Sequence, residues 1–175
     1  MSLVIRRARP GEAGLVLSFV RELAGYEKLL HEVEATEADI DVALFGDSPR
    51  LFCEIAEWNG EPAGLAVWFV NFSTFSGRSG IYLEDLFVRP ALRGKGIGKA
   101  LLVHLARECV ASGWSRLQWS VLDWNTPSIE FYKSLGAVLM DEWTVCRVGG
   151  PALTALALGA RLWKSFSSWP SPRTA

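Results

Sequence analysis

Apolar residues recur along this chain in two rhythms, one of about 3.6 residues that marks a helix face and one of two that marks a strand face. Residues 3–7 read as a short strand, and Ala13, Val16, Leu17, Val20, Leu23 and Ala24 then recur at helical spacing up to Gly25. An acidic stretch, 26–34, reads as a loop, and Thr36 with Asp39 three residues on reads as a capping box opening a helix that stops at Gly46. Branched and aromatic runs at 51–58 and 62–72, with Asn59-Gly60 between them, predict a β-hairpin. After a polar turn, 73–80, a third strand is predicted at 81–88. Ile97, Leu101, Leu102, Leu105, Ala106, Cys109 and Val110 share one helical face that Gly113 ends, and 116–121 alternates as another strand. Thr126 as N-cap with Pro127 at the first helical position predicts a short helix closed by Gly136, with strands at 137–140 and 143–148 and a short helix at 151–158 to follow. The expectation is one domain over residues 1–160. Residues 161–175, rich in Ser and Pro, read as a flexible tail.

Two places in this pattern carry more than packing. Within the strand at 81–88, Glu84 and Asp85 are adjacent, and neighbours on a regular strand point to opposite faces. Either one carboxylate enters the core or the strand is bulged there. Between that strand and the helix lies Arg93-Gly94-Lys95-Gly96-Ile97-Gly98-Lys99. Alternating glycines let successive N–H groups turn into a concave nest, and the helix beginning there adds the positive end of its dipole. Arg93, Lys95 and Lys99 add mobile positive charge, so a phosphate or pyrophosphate is the natural occupant. The spacing fits neither a Walker loop, since Ala100 follows Gly98-Lys99, nor a dinucleotide fingerprint, since Lys99 stands where a third Gly is needed. The plain alternative is a glycine turn that merely starts a helix. His104 on that helix reads as an ordinary surface or satisfied core histidine.

Composition removes several classes. With 175 residues, 50% hydrophobic and 21% charged, the chain has the make-up of a globular domain. Its net charge of -1 argues against a general nucleic-acid binder. Cys53, Cys109 and Cys146 form no CxxC pair, which suggests neither a disulfide framework nor a zinc site and fits a reducing, cytoplasmic setting. No basic-then-apolar leader and no long apolar run is present, so neither export nor a membrane span is expected.

Taken together, Tyr82-Leu83-Glu84-Asp85-Leu86-Phe87-Val88, the glycine nest, and Asn125-Thr126-Pro127-Ser128 with Phe131-Tyr132-Lys133 resemble the signature of GNAT-superfamily N-acetyltransferases. More narrowly they are similar to the polyamine (spermidine/spermine) and thialysine acetyltransferase branch, as are Ile5-Arg6, the segment from Glu22 to Glu27 and Thr36-Glu37, so that the likeness spans residues 3–157. The resemblance implies an α/β (α+β) GNAT fold: a mixed, mostly antiparallel central sheet, splayed between two parallel strands and flanked by helices. It implies acetyl-CoA as cofactor, no metal, and a homodimer. Its pantetheine arm would lie on the backbone of Leu86, Phe87 and Val88 and its pyrophosphate on Arg93, Gly94, Lys95, Gly96, Ile97, Gly98 and Lys99, while Asn125, Ser128 and Lys133 would contact the rest. Tyr132 would be the general acid toward the leaving thiolate, Glu84 would orient the amine or take its proton, and Leu86 N–H would meet the oxyanion. Tyr26, Glu27, Glu84 and Glu142 would hold a small cationic amine, a diamine, polyamine or thialysine-like acceptor. Other classes compatible with the pattern are acetylation of a protein or aminoglycoside amine, and a CoA-binding module without turnover.

Overall fold

A computed structural model describes residues 2–159 of the chain, so the expected tail at 161–175 lies outside the described residues. The described residues form two compact units, one ending at Trp124 and the other beginning at Asn125.

In the first unit β1 (Leu3–Arg7), α1 (Ala13–Tyr26), α2 (Glu37–Phe45), β2 (Phe52–Trp58), β3 (Glu61–Ser73), β4 (Arg78–Val88), α3 (Ile97–Ala111) and β5 (Leu117–Trp119) follow in order. The strands form one sheet in chain order, antiparallel from β1 to β4, with β5 added parallel to β4. That is the mixed, mostly antiparallel sheet the resemblance implies.

Local chemistry sets the elements. Thr36 accepts from the Asp39 backbone N–H at 3.3 Å while the Asp39 carboxylate accepts from the Thr36 N–H at 2.9 Å, so two donors at the start of α2 are satisfied. Asn59 and Gly60 both take positive φ, 54° and 87°, the geometry that lets a two-residue turn follow the twist of its strands. Gly64 on β3 is demanded by packing, because a Cβ there would collide with the Phe87 carbonyl of β4.

Strand alternation divides the core between the two faces of the sheet. Cys53, Ile55, Leu65, Val67 and Phe87 pack with Val16 and Phe19 of α1 and Leu44 of α2. Helix α3 packs on β3 and β4 among others and buries Ile97, Leu101, Leu102, Leu105 and Cys109. Burying one such Leu stabilises the fold by roughly 1.5–3 kcal/mol.

The second unit holds α4 (Thr126–Ser134) and α5 (Gly150–Ala157). Three expectations need correction. Asn125, not Thr126, is the N-cap of α4, which places Thr126 and Pro127 inside the first turn. The strand expected over 116–121 is confined to Leu117–Trp119. Residues 137–140 and 143–148 are not strands: they pair in no ladder, and Val138, Trp143 and Val145 are exposed. Branched and aromatic composition favours an extended backbone, but only a neighbouring strand makes it a ladder.

Candidate active site

The site in the first unit is organised by one irregularity. Val67 pairs with Asp85 and Trp68 with Leu83, so Glu84 is the extra residue of a bulge in β4. Bending, rather than burial of Glu84, resolves the adjacent carboxylates: Glu84 is exposed and Asp85 partly buried. The same bulge coincides with the end of sheet pairing on the other side. Strand β5 meets β4 only from Ile81 to Leu83, while β4 continues to Val88. Among the described residues, Leu86, Phe87 and Val88 therefore pair with β3 on one edge and with no strand on the other. An extended chain with amide groups can satisfy that edge as an added strand would.

Beyond β4, a 3-10 turn over Pro90–Leu92 leads to the glycine nest. Gly94 and Gly96 take φ of 75° and 80°, and Gly96 is the N-cap of α3 with no side-chain cap bond. The first-turn N–H groups of Ile97, Gly98 and Lys99 have no intrahelical acceptor, which suits an anion. Lys95 lies 5.5 Å from the Trp58 ring centre, and Lys99 lies along α3. An edge that accepts a backbone-like arm and a nest for a pyrophosphate are what acetyl-CoA requires, so the residues present fit it.

Around the bulge the electrostatics are one-sided. Burial, with the charges of Glu84 and Glu27, pushes Asp85 up to about 6, and burial also raises Glu27. None of Glu27, Glu84 and Asp85 has an ion-pair partner among the described residues. Tyr26, at the end of α1, stacks beneath Arg93 at 4.5 Å and lies 6.1 Å from Trp124. Arg93 also donates from Nε to the Val88 carbonyl at 3.1 Å. Sequence reasoning did not assign Asp85 or Trp124 to the site. The adjacency of Glu84 and Asp85 was the available signal for the first, whereas nothing local connects Trp124 to Tyr26.

In the second unit Asn125 is buried, its carbonyl accepting from Ser128 and Ile129 N–H at 3.0 Å each, and Tyr132 is buried on α4 with Phe131 at 5.3 Å. Lys133 is held by Glu130 at 3.2 Å in an exposed pair, and Glu142 sits in an exposed turn. Elsewhere, burial pushes the Cys53 thiol to about 12, which removes it as a nucleophile. No group of three metal-ligating side chains occurs among the described residues.

A bulged, half-paired strand running into a glycine nest and helix is the arrangement that the resemblance to the GNAT superfamily implies. Residues 18–137 match the Acetyltransferase (GNAT) family, and the chain belongs to it. It is 39% identical over 166 residues to the thialysine N-epsilon-acetyltransferase of Bos taurus, covering 89% of this chain and 97% of that protein. Against a spermidine/spermine N(1)-acetyltransferase-like protein of Homo sapiens it is 33% identical over 87% of this chain, though over only 23% of the longer relative. Among solved structures, an integron cassette protein from the mobile metagenome of V. cholerae superposes with a TM-score of 0.74 at 31% identity, covering 90% of this chain and 98% of that one. The protein is an N-acetyltransferase, and proteins of the thialysine and polyamine branch are among its relatives.

Proposed function

We propose that the protein transfers an acetyl group from acetyl-CoA to a primary amine of a small cationic acceptor, a diamine, polyamine or thialysine-like compound. The observation that carries the acceptor class is the group of Glu27, Glu84 and Asp85 beside the bulge, three carboxylates without a cationic partner among the described residues. Separated carboxylates draw in a ligand with more than one ammonium group, although the chain as a whole carries a net charge of only -1. Tyr26, with Trp124 beside it and Arg93 stacked on its ring, borders the same acceptor.

When bound, acetyl-CoA supplies a thioester whose carbonyl carbon the amine attacks, the C–N bond forming as the C–S bond breaks. The chain's own residues handle the protons and charge. An ordinary alkylammonium, with a pKa of about 10, has no lone pair at neutral pH. Glu84 takes that proton through water, and Asp85 and Glu27 hold the distal ammonium. Leu86 N–H donates to the charge developing on the carbonyl oxygen, and Tyr132 gives its proton to the departing thiolate and regains one from the second N–H that the acylated nitrogen sheds. Leu86 to Val88 and the nest from Arg93 to Lys99 hold the cofactor, with Asn125, Ser128 and Lys133 completing its contacts. Unpaired Cys53, Cys109 and Cys146 accord with a reducing cytoplasm, and a homodimer is part of the reading.

The test is an acceptor panel with acetyl-CoA and release of free thiol as readout. Diamines, polyamines, thialysine and lysine should turn over, with aminoglycosides and peptide N-termini far behind. Thiol release with none of the small di- or polyamines or lysine analogues would sink the acceptor assignment.

A further inference from the structure

A groove of about 470 Å³ runs between α3 and the edge strand β1, lined by Leu3, Ile5, Lys99, Val103, His104 and Arg107 among others. It is set by two periodicities that match. On α3 the lining positions recur at helical spacing, and Lys99 and Arg107 are eight residues apart, about 12 Å along the axis, with Val103 midway. On an extended chain, residues four apart lie on one face and are separated by about 13 Å, with the residue between them on the same face.

Among the described residues strand β1 has a neighbour, β2, on one side only. The Ala8 N–H donates to Cys53 C=O and the Ser2 C=O accepts from Asn59 N–H, both at 2.8 Å. Antiparallel pairing alternates, so even-numbered residues of β1 turn their backbone groups to β2. Leu3 and Ile5 therefore turn theirs to the free edge, while their side chains line the groove.

Charge names the occupant. The carboxylate of buried Glu54 lies 3.2 Å from Arg7 and 3.6 Å from His104, so its charge is met within the fold. Lys99, whose backbone N–H belongs to the nest at the start of α3 while the residue also lines the groove, and Arg107 have no ion-pair partner among the described residues. A second copy adding its own β1 about a two-fold axis would set this cationic stripe against itself. We propose that the groove is a strand-addition site for another protein's extended acidic segment. Two acidic side chains four residues apart would meet Lys99 and Arg107, and an apolar one between them would meet Val103.

A blocked peptide, Thr-Glu-Thr-Val-Thr-Glu-Thr, titrated into the full chain tests this. Binding should protect the Leu3 and Ile5 amides from hydrogen exchange. Arg107→Glu should weaken it at least about ten-fold while leaving turnover of small amines unchanged. Leu3→Pro, which removes an N–H pointing away from β2, should weaken it likewise without changing thermal stability. If Leu3→Pro disturbs the fold, Arg107→Glu and the exchange data decide. The proposal is overturned if millimolar peptide does not bind, if Arg107→Glu has no effect, or if the Leu3 and Ile5 amides gain no protection. Equal binding of the peptide with Lys in place of Glu, or of a single-stranded oligonucleotide at the same residues, also overturns it.

Discussion

Replacing Asp85 by Asn separates what this carboxylate does for the fold from what it does for the acceptor. Its pKa is raised from 3.8 to about 6 by burial and by the charges of Glu84 and Glu27. In the unfolded chain the group ionises near 4, whereas the folded protein holds the proton until about pH 6. The sign follows from linkage: the folded state binds the proton more tightly, so the contribution to stability declines as pH rises from about 4 to 6 and stays unfavourable above. Two pKa units correspond to roughly 3 kcal/mol, and partial solvent access lowers the expected cost to about 1–3 kcal/mol. Asn keeps the shape and discards the charge. Urea unfolding at pH 8 should therefore find D85N more stable than the parent by about 1–3 kcal/mol, and at pH 4 that gain should nearly vanish. Comparing the two proteins at each pH cancels the titrating groups that do not interact with Asp85, and relief of Glu84 and Glu27 from its charge adds to the gain at pH 8. At the same time KM for a diamine should rise, since a contact to the distal ammonium is lost. Equal destabilisation at both pH values would refute the reasoning, because it would mean that Asp85 is held by favourable contacts.

Other expectations address the remaining parts. Tyr132→Phe should lower turnover by about 10²–10⁴ with cofactor affinity nearly unchanged, measured by steady-state kinetics and calorimetry; unaltered turnover would remove the general-acid assignment. Gly96→Ala places a Cβ at φ 80°, which costs about 1–2 kcal/mol in thermal unfolding and should weaken CoA binding by calorimetry. Thr36→Ala breaks the α2 capping box and should cost about 0.5–2 kcal/mol in denaturant unfolding without touching activity. Leu101→Ala, in the buried face of α3, should cost about 2–5 kcal/mol by the same measurement.

What could be read from the sequence was what short-range chemistry determines. The Thr36–Asp39 cap, the Asn59-Gly60 turn and the nest glycines each need particular side chains within a few residues, and each is present as expected. Residues 137–140 and 143–148 carry a strand-like composition without forming strands for the opposite reason, since a ladder depends on a neighbour that local composition does not encode. The site divides the same way. The unusual character of positions 84 and 85 was legible, but the pKa of Asp85 depends on Glu27, which the end of α1 brings close to it. One misjudged boundary is itself informative. Strand β5 stops at Trp119, opposite Leu83, the last residue of β4 before the bulged Glu84. Residues 120 and 121 keep the alternation that predicts a strand, yet the β4 backbone has turned away from them. The bulge therefore accounts for three features together: the short β5, the unpaired edge at Leu86 to Val88, and the carboxylates gathered beside it. A substitution that removed the bulge and extended β5 would close the edge the cofactor arm needs, so the irregularity that defeats a regular reading of this strand is the one the chemistry depends on.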